Sequence, residues 1–383
     1  LRRQRQMCIR DRLIGPKSPI APIYIIPEMN CEIIFTNKVA EKLDSIVDRL
    51  APASVFVLVD VNTASFVLPR LREQSRAVAS ATVITTHAGE PFKNLDTLAS
   101  VWKQLGDSGA TRRSVLINVG GGTVTDLGAF AAATFKRGIS FINIPTTLLG
   151  AVDASVGGKT GINFNGLKNE IGVIRQADVV IISTTFFRTL TSQELLSGYA
   201  EMIKHGFITS REMTARLLRY DVTGYEPDSL LSLLRESIEV KRGVVARDLD
   251  DRGIRRSLNF GHTAAHAFEA LALRRTSPVP HGYAVAFGMV VALVLSHLKF
   301  GFPSDDLHRY ADYVYRTYGA FEFSCDDYPE LLGYMHHDKK NRTTAEISCA
   351  LLADYGDVRV DTPVSDADMT AALDIYRDLL HLP

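Results

Sequence analysis

The stretch NFGHTAAHAFE, residues 259–269, sets His262 and His266 four positions apart among small and apolar residues. On a helix, that spacing puts both imidazoles on one face, where they could grip a metal ion. A zinc-type centre takes three ligands from His, Asp and Glu and keeps one position open for substrate. The second half of the chain offers Glu201, His262, His266 and His281. Spacing alone selects His262 with His266. It equally offers Glu201 with His205 in GYAEMIKHG, and the adjacent His336 and His337 in HHDKKNR. A buried helix with structural histidines is the competing reading. Lys204, Lys241, Arg255 and Asn259 fall in the same mostly apolar helical region, and that density of polar groups favours a functional site.

Two glycine-rich stretches could meet a phosphate. NVGGGTVTDLGAF (118–130) follows an apolar run and opens a helical one. Its glycines let backbone approach a ligand, and the free N–H groups of a helix start suit an anion. It lacks the GxGxxG dinucleotide fingerprint, so a plain strand-to-helix turn stands beside the phosphate reading. DASVGGKTG (153–161) approximates a nucleotide-binding P-loop but has Asp153 where the first glycine belongs, which removes the ATPase reading. What remains is a glycine-rich turn carrying Lys159, with Lys168 and Asn169 close behind.

The elements that must position these groups differ between the two halves. SVFVLVD (54–60), ATVITTH (81–87), SVLINVG (114–120), SFINIP (140–145) and ADVVIIS (177–183) are continuous apolar runs rich in β-branched residues. Such runs predict strands buried on both faces, and helical stretches between them imply a mostly parallel sheet. After about residue 190 the period becomes helical. There Thr191 followed by Glu194 offers a capping box. A short strand pair is expected at EISCALLAD and DVRVDTPV. The fold class is therefore an α/β N-terminal domain with a mostly parallel Rossmann-like sheet, followed by a mainly α-helical metal-binding domain. The expected divisions are a disordered or artefactual tail at 1–15, an α/β domain at 16–190 and a helical domain at 191–383.

Composition narrows the function. Lys+Arg and Asp+Glu are both 43, so the formal net charge is zero and no nucleic-acid or acidic-membrane partner is expected. A small anionic substrate needs only a local cluster. Apolar residues make up 46% and charged residues 22%, as in a soluble globular protein. Cys8, Cys31, Cys325 and Cys349 form no CxxC pair, which argues against a disulfide framework and for a reducing, cytoplasmic setting. The longest apolar run, AVAFGMVVALVL at 284–295, is shorter than the ~20 residues a membrane span needs. The first twelve residues carry five arginines without apolar periodicity, so no targeting peptide is read there.

The chain resembles the sugar-phosphate cyclase family of 3-dehydroquinate synthases. The resemblance is carried by AGEPFKN, GGGTVTDLGAFAAATFKRG, IPTTLLGAVDASVGGKTGIN, LKNEIG, GYAEMIKHG, GIRRSLNFGHTAAHAFE, HGYAVAFGM and HDKKN, in order and over nearly the whole chain. It implies conversion of 3-deoxy-D-arabino-heptulosonate 7-phosphate into 3-dehydroquinate and phosphate, with NAD and a divalent metal, zinc or cobalt. It makes Glu201, His262 and His281 the metal ligands and moves His266 to the substrate phosphate.

The implied NAD contacts begin with Asp60 and Asn62, then Glu90 and Lys93. They continue through the turn Gly121, Gly122, Thr123, Val124, Thr125 and Asp126, and end with Thr146, Thr147, Lys159, Lys168, Phe186 and Thr189. An acid after a strand suits a ribose diol, and a glycine turn suits a pyrophosphate. The implied substrate contacts are Asp153, Asn169, Lys204, Lys241, Arg255, Asn259, His266 and one of Lys339 and Lys340. Arg137, in FKRG, resembles an arginine lent across a homodimer interface. Lysines and an arginine suit a substrate with a carboxylate at one end and a phosphate at the other. The resemblance further implies transient oxidation by NAD, phosphate elimination, re-reduction and aldol closure of the ring.

Ala264 and Ala265 depart from the family pattern, where a bulkier residue and a glycine are usual. Three rivals stand beside this reading. A valiolone- or inosose-type cyclase would share the metal and NAD parts, but DKKN with Lys241 and Arg255 favours a carboxylate substrate. A metal-dependent polyol dehydrogenase tends to carry Asp at position 201 and needs fewer anion-binding groups. A catalytically dead binding protein would have no reason to keep every ligand and lysine.

Overall fold

A computed structural model describes residues 31–337 and 346–382. The arginine-rich start, Lys339 and Lys340 lie outside the described residues. Cys31–Pro383 forms one compact unit. In chain order the described strands are β1 (Glu32–Phe35), β2 (Ser54–Asp60), β3 (Thr82–Thr86), β4 (Ser114–Gly120), β5 (Ser140–Pro145), β6 (Lys159–Phe164), β7 (Leu167–Ile174), β8 (Val179–Ile182), β9 (Ile347–Asp354) and β10 (Asp357–Val364).

Six of them form a wholly parallel sheet in the order β1-β8-β5-β4-β2-β3. Both faces are covered, which explains the continuous apolar runs. Along β2, Phe56 and Leu58 join one core while Val57 and Val59 join the other. Val115, Leu116, Ile117 and Val119 of β4 are all 0% exposed, and each such side chain contributes about 1.5–3 kcal/mol on burial. Chain order reverses between β2 and β4. The crevice beyond their carboxyl ends is thus the switch point where doubly wound sheets bind ligands.

Two elements depart from the sequence reading. β1 was not anticipated; it is a four-residue edge strand, too short to show a period. The glycine-rich stretch around Lys159 leads into an antiparallel hairpin, β6 with β7, rather than a simple loop. Its turn is Asn165-Gly166, both at positive φ (49° and 77°), the dipeptide that two-residue hairpins favour. The expected terminal strand pair forms as β9 and β10.

The helices that matter for the site are α1 (Gly122–Thr134), α2 (Ser192–Phe207), α3 (Pro227–Arg247), α4 (His262–Arg274) and α5 (His281–Phe300). Helix α2 starts at the expected capping box, with Thr191 and Glu194 bonded reciprocally. Helix α5, at 20 residues, is long and apolar enough to cross a membrane by length and composition. However, 72% of its 18-residue apolar window is buried, so it serves as the central core helix.

Candidate metal and nucleotide site

Three helices are brought unusually close, and glycines allow it. A Cβ on Gly282 would lie 1.8 Å from the carbonyl oxygen of Ser197, so α5 touches the backbone of α2 one turn before Glu201. The Gly282 N–H also donates to Ser197 Oγ at 3.0 Å. A Cβ on Gly288 would lie 2.2 Å from the carbonyl oxygen of Gly261, which seats the start of α4 against α5. His281 adjoins the first contact and His262 the second.

As a result Glu201, His262 and His281 each offer a ligand atom within 4.8 Å of the other two. Nε2 of His262 and Nε2 of His281 both lie 3.4 Å from Glu201 Oε1. The opposite ring nitrogens have acceptors: His262 Nδ1 lies 3.2 Å from the Phe260 carbonyl and His281 Nδ1 lies 3.5 Å from Glu269 Oε2. Glu201 is 0% exposed, and neither of its oxygens makes a hydrogen bond of regular geometry. Burial alone would raise its pKa, yet Lys204, His262 and His281 hold the carboxyl well below its usual range. A buried carboxylate lacking regular hydrogen bonds beside two imidazoles suits a borderline divalent cation. His266 stands apart from that trio. It is on the exposed side of α4 and is not among the residues whose ligand atoms converge, although its ring lies as near to that of His262 as the His281 ring does, 5.6 Å.

The competing pairs resolve locally. His205 is buried on α2 and its Nδ1 meets Ser237 Oγ at 2.7 Å; burial lowers its pKa to about 3, so it is neutral. His336 Nε2 meets Asp366 Oδ1 at 2.7 Å, and His337 Nδ1 meets the Gly333 carbonyl at 2.6 Å.

Next to the trio is a second patch of buried charge. Lys204, 2% exposed, contacts Glu201, and Lys241 contacts both the carboxylate and the carbonyl of Asp153. Burial works to raise the Asp153 pKa, but Lys241 outweighs it and keeps the carboxyl ionised. Arg255 is buried nearby, donating to the carbonyls of Leu249 at 2.7 Å and Gly157 at 3.1 Å.

The sheet side is built differently. Asp60 ends β2 and caps the short helix after it, accepting from the Thr63 N–H at 2.8 Å. Gly120 ends β4, and Gly121 caps α1. A Cβ on Gly121 would lie 3.0 Å from Thr147, so the turn nests against the loop after β5. Asp126, in the second turn of α1, meets Lys93 Nζ at 2.6 Å. Burial pushes its pKa up to about 6 despite that lysine.

A family model for the N-terminal part of 3-dehydroquinate synthase matches residues 83–197, and one for the C-terminal part matches residues 198–341. The chain belongs to the 3-dehydroquinate synthase family. A 3-dehydroquinate synthase of Parabacteroides distasonis is 44% identical over 91% of this chain and 98% of the relative. The fold is shared with 2-deoxy-scyllo-inosose synthase solved with carbaglucose-6-phosphate, NAD+ and Co2+, at TM-score 0.77 and 21% identity, covering 92% of this chain and 96% of that one. It is also shared with a 2-epi-5-epi-valiolone synthase of Streptomyces hygroscopicus subsp. jinggangensis 5008 with NAD+ and Zn2+ bound, at TM-score 0.77 and 22% identity, covering 91% and 96%. The family, the α/β-then-helical fold and the enzyme class are those that the sequence implied. The relatives favour 3-dehydroquinate synthase over the valiolone- and inosose-type alternatives.

The remaining anticipated residues are spread over several places. Lys93, Asp126 and Asn169 form one cluster, Lys93 Nζ meeting Asn169 Oδ1 at 2.5 Å. Asn169 has φ 53° within β7, a left-handed conformation that asparagine tolerates. Glu90 joins through Asn163, whose side chain donates to Glu90 Oε1 at 2.8 Å and accepts from the Asn169 N–H at 2.9 Å. Lys159 and Lys168 are separated to opposite ends of the hairpin, paired with Asp251 at 2.5 Å and Glu269 at 3.1 Å.

Thr146 is buried after β5, Phe186 packs against both cores, and Thr189 donates to the Phe186 carbonyl at 3.0 Å. Asn62 is exposed, and Asn259 ends the turn before α4. Arg137 is exposed beyond α1, at φ 68°. Sequence reasoning missed Glu269, Asn163 and Asp251. Glu269 was findable, since it stands seven residues, two helical turns, beyond His262 on the same face.

Proposed function

We propose that this chain converts 3-deoxy-D-arabino-heptulosonate 7-phosphate into 3-dehydroquinate and phosphate, using NAD and one zinc or cobalt ion. The observation that carries the reading is the meeting of Glu201, His262 and His281 within 4.8 Å. These three residues would hold the metal, which when bound acts as a Lewis acid on a substrate oxygen. NAD, held by the sheet half, would supply a reversible hydride acceptor. The relatives crystallised with NAD and a divalent cation support both assignments.

The chain's own residues would bind, orient and enclose. Gly121–Asp126 and Asp60 would receive the dinucleotide at the switch point, with Glu90, Lys93, Thr146, Thr147, Lys159, Lys168, Phe186 and Thr189 around it. Lys204, Lys241 and Arg255 would hold the substrate's anionic groups, with Asp153 keeping the Lys241 ammonium in place. Asn169, Asn259 and His266 would complete the substrate end, His266 towards the phosphate, together with Lys339 or Lys340. The burial of Lys204 and Lys241 excludes water, which strengthens each ionic contact. We further propose the division of labour at residues 190–191, a homodimer in which Arg137 reaches the partner's site, and a cytoplasmic setting.

The test is direct. Purified protein given NAD, zinc or cobalt, and the heptulosonate phosphate should release inorganic phosphate and form 3-dehydroquinate. Folded protein that releases none with either metal would overturn the reading.

A further inference from the structure

Glu269 has no part in the reaction outlined above, yet it touches both sides of the site. Its side chain is 13% exposed, and its two oxygens serve two different partners. Oε2 lies 3.5 Å from Nδ1 of His281 on α5. Oε1 lies 3.1 Å from Nζ of Lys168 on β7, a strand whose residues are exposed throughout. The next residue on that strand, Asn169, meets Lys93, and Lys93 meets Asp126 on α1. Two runs of polar contacts, joined by the peptide bond between Lys168 and Asn169, therefore lead from His281 to the helix that opens with the glycine turn.

We propose that Glu269 is a positioning residue that fixes the His281 ring for metal binding and, through Lys168, makes metal affinity depend on where the β6–β7 hairpin sits. This inference rests on the metal-centre reading given above. An imidazole has two nitrogens, and the partner of one decides what the other can do. With a carboxylate on Nδ1, Nε2 is aimed at Glu201 Oε1, 3.4 Å away. Carboxylates placed this way orient and strengthen histidine ligands in metal proteins. A carboxylate has two oxygens, so one group can hold the ring and the lysine at once. β6 is held by the core through Ile162, which is 0% exposed, but β7 itself offers little apolar hold: Leu167, Ile171, Val173 and Ile174 are all at least 38% exposed. Lys168 and Asn169 are thus polar anchors of β7 near the turn, and each leads to a different half of the site.

The test measures Co2+ affinity by competition with a chelator, and the visible Co2+ spectrum, in wild type, Glu269→Ala, Lys168→Met and the double variant. Thermal unfolding checks each fold. Glu269→Ala should bind Co2+ about 10–100-fold more weakly, with a changed spectrum. Lys168→Met, a change at a side chain 56% exposed, should weaken binding by a smaller factor in wild type and by none in the Glu269→Ala background. Wild-type affinity and spectrum in Glu269→Ala would overturn the inference while leaving the metal centre intact. An equal Lys168→Met effect in both backgrounds would overturn the link to the hairpin. If Glu269→Ala does not fold, Glu269→Gln replaces it: it keeps one acceptor and loses the charge, so an affinity equal to wild type would again overturn the proposal. Wild type that binds no Co2+ would sink the metal centre itself, a result distinct from all of these.

Discussion

The carboxyl edge of the sheet and the meeting point of the helices are built on opposite principles. At the sheet edge the groups that would receive a ligand are mostly backbone: a glycine turn, a helix start, and Asp60 already satisfied as a cap. Where the helices meet, the groups are side chains from three segments far apart in sequence, and the central carboxylate is buried without regular hydrogen bonds. The first region presents a helix start with no side-chain cap at Gly121, and buries no carboxylate as deeply as Glu201. The second carries a concentration of buried charge that a cation would settle. Damage to the helical region should therefore abolish metal binding, whereas damage to the sheet edge should weaken cofactor capture and leave the metal in place.

The severest test of that contrast changes no ligand. Gly282→Ala places a methyl group 1.8 Å from a backbone oxygen of α2, so α5 must move and carry His281 with it. A loss of at least about 3 kcal/mol in unfolding free energy is expected, the upper part of the range for overpacking. Metal affinity should fall with it. Denaturant titration together with chelator competition checks both, and a variant of native stability and affinity would show that the helices are not held by this contact.

Acidity sharpens the contrast further. Burial acts to lower the His281 pKa, but Glu201 and Glu269 outweigh it and hold the imidazole up to about 10 without metal. A metal must displace that proton, so its affinity should rise with pH, by up to about tenfold per unit below pH 10. The same raised pKa stabilises the metal-free fold at low pH, and that contribution is lost as pH rises through 10. Calorimetry in buffers of different ionisation enthalpy would count the protons released, and a pH-independent affinity would contradict the charge arrangement.

The smallest effect belongs to the sheet edge. Asp60→Ala removes the cap on the Thr63 N–H and should cost about 1 kcal/mol. The KM for NAD should rise while bound metal stays at the wild-type level. Loss of metal in this variant would show that the two regions are not separable.

The same difference explains what could be read from the sequence. β2, β4 and β5 have the expected limits because burial on both faces writes a continuous apolar run into each. The capping box at Thr191 was equally local. The hairpin was overlooked because glycines and lysines mask its alternation, although Asn165-Gly166 announced the turn. The metal trio was not legible from spacing. Four-residue periodicity joins His262 to His266 and Glu201 to His205, whereas the observed partners are decided by how α2, α4 and α5 cross. His281 stood among the candidates, but only the family resemblance selected it as a ligand in advance. Glu269 lay within the motif but its use depends on a partner from α5 and another from β7.

Metal content per chain, measured on wild type, Glu201→Ala and His266→Ala after identical loading with zinc and removal of excess, tests the central claim most directly. The account predicts about one ion, none and about one. Retention of metal by Glu201→Ala, with loss in His266→Ala, would contradict it.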